Sequence, residues 1–152
     1  MIDAEVLVES KQWKKIIQNP KRIVLNILSR FPKKYKFINK KVYISILLTN
    51  NKKIKLLNNK FRKKNKATDI LSFPFFDEKN LKKNLKNKEL YLGDIVISYE
   101  EFLKKNKENY LDGFIKIFIH GFLHLLSFDH KLNKDYRIMN SIENKIYQKV
   151  KG

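Results

Sequence analysis

The 152-residue sequence contains no cysteine, so disulfides are excluded and any zinc site has to be built from His, Asp or Glu. No apolar run approaches the ~20 residues that a membrane span needs. The first ten residues, with Asp3, Glu5 and Glu9, contain no signal-peptide core. These absences read as a cytoplasmic protein without a membrane partner. Acidic residues are missing altogether from residues 11–68, which hold 19 Lys or Arg. The first ten residues sum to −3 and residues 69–152 to +3, so this one stretch carries the whole net charge of +19. Such a field suits a polyanion whose phosphates lysine neutralises. Arginine is scarce, however. Lys outnumbers Arg 30 to 4 and Asn reaches 16, a bias that an A+T-rich genome also produces, so charge alone does not establish nucleic-acid binding.

Histidine is rarer still, with three in the chain, all within His120-Gly121-Phe122-Leu123-His124-Leu125-Leu126-Ser127-Phe128-Asp129-His130. A spacing of four puts His120 and His124 on one helical face, one turn apart. His130 follows the expected helix end and can fold back onto that pair. Three imidazoles from one helix and the turn after it make a zinc site with one position left open. The helix around them, residues 114–126, is apolar nearly all round, which places it in the middle of a domain. Its other positions, Gly113, Lys116, His120, His124 and Ser127, fall on one stripe at ~100° per residue. A buried helix with one polar seam lines something.

Taken in order, residues 2–8 read as a strand, and Ser10 as the N-cap of a helix carrying Trp13, Ile16 and Ile17. Pro20 suits the first turn of a helix over residues 21–30, which Phe31-Pro32 stops. Residues 41–48 are a β-branched strand. Thr49 or Asn50 caps a helix bearing Ile54, Leu56 and Leu57 that ends near Asn59. Residues 61–76 begin as a basic loop and become a strand at 69–73, which Pro74 confines to an edge or ends. Residues 77–89 read as a solvated low-complexity loop. Residues 91–94 lead into a strand over 95–98, and Ser98-x-x-Glu101 is a capping box for the next helix. The last helix, residues 135–149, turns Ile138, Met139, Ile142 and Ile146 inward. The expectation is α+β: a single domain over residues 1–152, one four-stranded mixed sheet packed with about five helices, and the histidine-bearing helix at its centre.

The H-x3-H-x5-H spacing also occurs in metallopeptidases of the metzincin type, where the residue after the first His is the glutamate acting as general base. Here that residue is Gly121, which takes no proton. Asp129, beside the third His, reads as an orienting partner to the ligands.

Over its whole length the histidine segment resembles the signature of the YbeY family, H-G-x-L-H-L-x-G-Y-D-H, found in bacterial endoribonucleases that mature ribosomal RNA. Phe61-Arg62 through Thr68-Asp69-Ile70-Leu71-Ser72-Phe73-Pro74-Phe75 resembles that family's Y-R-x(5)-T-D-V-L-S-F-P-F, and Leu92-Gly93-Asp94-Ile95-Val96-Ile97-Ser98 its L-G-D-I-V-I-S. Ser127 and Phe128 stand where the family has Gly and Tyr. If that glycine takes a positive φ to end the helix, Ser carries a steric cost there.

The resemblance implies a single-strand-specific endoribonuclease with one Zn2+ per chain, held by His120, His124 and His130. It implies action on ribosomal RNA, at the 3′ end of the small-subunit species and in ribosome quality control, with the small ribosomal subunit as partner and no DNA. Three neutral imidazoles leave zinc its full charge, which lowers the pKa of water to about 7 in comparable sites. Arg62 matches the family's functional arginine, whose planar guanidinium holds two phosphate oxygens. Lys63, Lys64 and Lys66 join Arg62 in facing RNA, and Asp94 reads as structural. Hydrolysis and attack by the RNA 2′-hydroxyl both suit one metal and one arginine. Nickel or copper also accepts imidazoles. Two other functions stay open: a zinc metallopeptidase-like hydrolase, and a non-catalytic ribosome-assembly protein with a structural metal.

Overall fold

The computed structural model describes residues 1–35, 37, 39–128 and 133–152. Four strands, β1 (Ile2–Val8), β2 (Lys41–Thr49), β3 (Ile70–Pro74) and β4 (Glu89–Ser98), form one mixed sheet in the order β1-β2-β4-β3. β1, β2 and β4 run parallel, and β3 runs antiparallel along the edge of β4. Strict alternation sorts β2: Val42, Ile44, Ile46 and Leu48 enter the main core, while Tyr43, Ser45 and Leu47 face the other way. In β4 the alternation slips by one. Tyr43 pairs Tyr91 and Ile44 pairs Gly93, so Leu92 is an extra residue. Gly93 takes φ +136°, and a Cβ there would stand 2.2 Å from the Phe73 carbonyl oxygen. The bulge exists because that position is glycine.

Seven α-helices surround the sheet among the described residues, more than the five expected: α1 (Trp13–Ile16), α2 (Pro20–Ser29), α3 (Asn51–Arg62), α4 (Glu78–Asn84), α5 (Tyr99–Lys105), α6 (Tyr110–Leu125) and α7 (Asn133–Lys151). Residues 77–89 are a loop only in part: 78–84 form α4, and 85–88 turn into β4. Asp77 accepts from the Asn80 backbone N–H, caps α4, and Leu81 is buried, so one apolar residue and one cap hold a lysine-rich turn in helical form. α3 continues past Asn59 to Arg62 and ends on Lys63 in the left-handed region, so Arg62 lies on a helix and not in a loop. Asn50 caps it by accepting from Lys53 N–H. Ser10 does not cap α1, whose N-cap is Gln12. The Ser98 capping box is not formed either. Its hydroxyl donates to Asn51 Oδ1 at 2.6 Å, tying α5 to α3. Ile138 is half exposed and points outward, unlike Met139 and Ile146.

The main core lies between one face of the sheet and α1, α2, α5, α6 and α7. At one end Trp13 is fully buried, stacks edge-on against Tyr99 and Phe114, and donates its indole N–H to the Thr49 carbonyl. α6 is the central element, burying Phe114, Phe118, Phe122 and Leu123 completely. The opposite sheet face carries a smaller cluster, Ile54 of α3 with Leu71 and Val96. No helix of the described residues is long and apolar enough to cross a membrane.

Candidate metal and phosphate site

α6 presents Asp112, Lys116, His120 and His124 at four-residue intervals, a single stripe along a helix that is largely buried beyond its first turn. α7 lies against that stripe. Tyr147 O–H donates to Asp112, Lys151 Nζ lies 3.6 Å from the same carboxylate, and Lys116 sits over the Tyr147 ring at 4.9 Å. One turn further on, Glu143 Oε1 stands 2.6 Å from His120 Nδ1. The Asp112 carboxyl is held below the ordinary carboxylate range, first by the Tyr147 hydroxyl, which outweighs the opposing effect of burial, and then by Lys116 and Lys151.

With Nδ1 of His120 on Glu143, Nε2 is turned to His124, and the two Nε2 atoms are 3.1 Å apart. Two nitrogens bound tetrahedrally at the usual zinc distance of ~2.05 Å would be about 3.3 Å apart. The donor set and its spacing therefore fit a shared metal ion. A carboxylate behind a ligating imidazole is the arrangement that fixes its tautomer and ring orientation. Sequence reasoning gave that part to Asp129 and did not pick out Glu143. Asp129 and His130 lie outside the described residues, and no group of three metal-ligating side chains occurs among the described ones.

α6 ends where it was expected to, with Leu126 as C-cap. Ser127 follows at φ +74°. Phe128 N–H donates to the Leu123 carbonyl at 3.1 Å and Ser127 N–H to that of His124 at 3.0 Å, the paired bonds of a Schellman motif. That conformation favours glycine, and this chain meets it with serine.

At Gly121 α6 lies close against the sheet. A Cβ there would stand 2.8 Å from Ile70 Cδ1, 3.2 Å from Ser72 Oγ and 3.3 Å from Ile95 Cγ2. The position that carries a general-base glutamate in metzincins points into packed sheet and has no room for one.

Arg62 approaches from the opposite side of β3. Its Nη2 donates to the Ser72 carbonyl at 2.6 Å, and its guanidinium lies 5.6 Å from the centre of the Phe73 ring. It reaches a cleft of about 610 Å³ that His120, His124, Lys64 and Ser127 also line. Asn58 shapes the segment after α3, its Nδ2 donating to the Lys66 carbonyl at 2.9 Å. Lys63, Lys64 and Lys66 are exposed; Lys64 lines the cleft, while Lys63 and Lys66 do not. Asp69 is spoken for structurally, accepting from Ile70 N–H and pairing with Lys105 at 3.1 Å. Asp94 is exposed in mid-strand on the far sheet face and accepts from the Tyr91 hydroxyl, away from the histidines.

Comparison with known proteins finds relatives along nearly the whole chain. A family model described as endoribonuclease YbeY matches residues 7–151. The endoribonuclease YbeY of Pelagibacter ubique (strain HTCC1062) is 50% identical, the match covering 99% of this chain and 97% of that protein. The protein of the same name from Wolbachia sp. subsp. Drosophila simulans (strain wRi) is 37% identical, covering 93% and 91%. Among solved structures, the solution structure of TM1509 from Thermotoga maritima superposes with a TM-score of 0.58 at 27% identity, over 99% of this chain and 89% of that one.

Proposed function

The chain belongs to the endoribonuclease YbeY family, and from that premise we propose that it cleaves single-stranded RNA in the cleft shared by Arg62, His120 and His124. The observation that carries the reading is this convergence: a guanidinium fixed at the edge of β3 faces two imidazoles fixed on α6 across one cavity. One N–H of Arg62 is committed to Ser72, and that bond aims the remaining donors of the planar fork. Two of them match the non-bridging oxygens of a phosphodiester and offset the charge that grows there during cleavage. Lys64 adds positive potential at the cleft wall.

His120, His124 and His130 would hold one zinc ion. When bound, the metal supplies Lewis acidity and makes water a stronger acid. Glu143 holds the His120 ring so that Nε2 faces the site. Of the acid-free stretch 11–68, Arg62 and Lys64 reach the cleft, where Asp69 is engaged by Lys105. Ribosomal RNA, its small-subunit 3′ end in particular, is the substrate this reading favours, with the small ribosomal subunit as partner, a role in ribosome quality control, and the cytoplasm as the place of action.

The test is cleavage of a small-subunit ribosomal RNA fragment by wild type, His124→Ala and Arg62→Ala, purified identically. The expected result is cutting by wild type alone, with fold retained in both variants and zinc retained in Arg62→Ala. Equal cutting by wild type and His124→Ala would assign the activity to a contaminant or to metal-independent chemistry, and this reading would fail.

A further inference from the structure

Phe61 is a large aromatic side chain that the fold does not bury: it is 58% exposed, on the last turn of α3. Its neighbours are cationic. Lys60, Arg62, Lys63, Lys64 and Lys66 are all exposed, and Lys60 Nζ lies 5.3 Å from the centre of the Phe61 ring. The ring stands edge-on to Phe73 at 5.4 Å, and Phe73 lies under the Arg62 guanidinium at 5.6 Å. The Phe61 ring is therefore at most about 11 Å from the guanidinium carbon, within the span of one or two nucleotides of extended strand. Beneath the ring opens a second cleft, of about 440 Å³, on the sheet face opposite the histidines. Leu47, Leu57 and Val96 are part of its apolar lining and Lys53 is among its walls.

We propose that Phe61, backed by Phe73, is a base-stacking subsite for the nucleotide next to the phosphate held by Arg62. The inference rests on the RNA-cleavage reading above and adds where the neighbouring base goes. Single-stranded RNA needs two surfaces, a cationic one for its backbone and a flat apolar one for its bases. The rim of β3 supplies both within one or two nucleotides' reach. The phosphate stays with Arg62 and Lys64, and the base turns over the strand edge onto the Phe61 ring. The carboxylates of Glu5 and Asp94, at the cleft's other walls, repel phosphate and accept N–H groups, so the backbone is kept at the rim while a base is tolerated inside. Stacking on an aromatic face also requires no particular sequence, which suits an enzyme selective for strandedness.

The experiment uses the full chain stripped of metal with a chelator, so that RNA binds without being cut. Affinity for a labelled eight-nucleotide single strand is read by fluorescence anisotropy for wild type, Phe61→Ala, Phe61→Leu and Phe61→Tyr, with thermal melts confirming the fold. Phe61→Ala is expected to weaken binding by about 5- to 150-fold, Phe61→Leu to weaken it comparably, and Phe61→Tyr to hold near wild type. Moving one abasic nucleotide along the strand should find a position that costs wild type a similar factor and Phe61→Ala nothing further. Wild-type affinity in Phe61→Ala or Phe61→Leu would overturn the subsite, as would abasic losses that simply add to the mutation at every position. If wild type itself binds no RNA, the RNA-cleavage reading falls and the subsite falls with it.

Discussion

Replacing Ser127 by glycine should make this protein more stable. Ser127 sits at φ +74°, where an L side chain costs roughly 1–2 kcal/mol relative to its ordinary conformations. Its hydroxyl is buried without a hydrogen-bond partner among the described residues. A buried unpaired hydroxyl adds about 1–3 kcal/mol. Glycine removes both costs and returns about 0.5–1 kcal/mol through the greater freedom of its unfolded chain. The working expectation is a gain of about 2 kcal/mol, or a rise in Tm of roughly 4–8 °C for a chain of this size. Trp13, the one tryptophan and fully buried, gives a fluorescence signal for urea unfolding, run in excess chelator so that metal does not contribute. Ser127→Ala separates the two terms, because it removes the hydroxyl and keeps the strain. It should recover about 1 kcal/mol. If Ser127→Gly is no more stable than Ser127→Ala, the strain argument is wrong; if neither exceeds wild type, both terms are.

Glu143→Gln should lower zinc affinity by about 10- to 100-fold, the usual cost of losing a carboxylate behind a ligating imidazole. Competition against a chromogenic chelator measures it, and unchanged affinity would remove Glu143 from any orienting role. Tyr147→Phe should destabilise the protein at neutral pH and matter less in acid. The Asp112 carboxyl is depressed in the folded state, chiefly by the Tyr147 hydroxyl, so its contribution is present above the unfolded value and lost as pH falls through the folded one. The stability gap between wild type and Tyr147→Phe, from urea melts at pH 7 and pH 3, should therefore shrink below about pH 4. A gap that stays constant with pH would refute the coupling.

Periodicity and turn chemistry made most of the strands readable. β1 and β2 show it plainly, as does Pro74 at the end of an edge strand. His120 and His124 could be paired from their spacing alone because four residues of helix fix their separation. Glu143 could not. It sits 23 positions from His120 on another helix, and only the docking of α7 selects it. Arg62 was singled out by resemblance, and its setting was misread as a loop, since the asparagine-rich end of α3 has weak helical signals. Ile54 and Asn58 on its buried face keep it helical to Arg62. The helix over residues 78–84 was missed for a related reason: a lysine- and asparagine-rich segment reads as solvent-exposed loop unless its one buried leucine is weighed.

Ser72 is the joint that makes the site one object. Its hydroxyl donates to the Gly121 carbonyl on α6 at 3.3 Å, and its own carbonyl accepts from Arg62 at 2.6 Å. A single residue of β3 thus ties Arg62 to the helix that carries both imidazoles. The tie requires α6 to lie close on the strand, and Gly121 is what lets it, since a Cβ there would already crowd Ile70 and Ser72. A glutamate at 121, the residue that peptide hydrolysis would need as general base, would have to displace Ile70 and crowd Ser72 and Ile95, the packing on which this tie depends. The two chemistries therefore compete for one position. Glycine there, with an arginine held across the strand, fits phosphodiester cleavage and leaves peptide hydrolysis without its base.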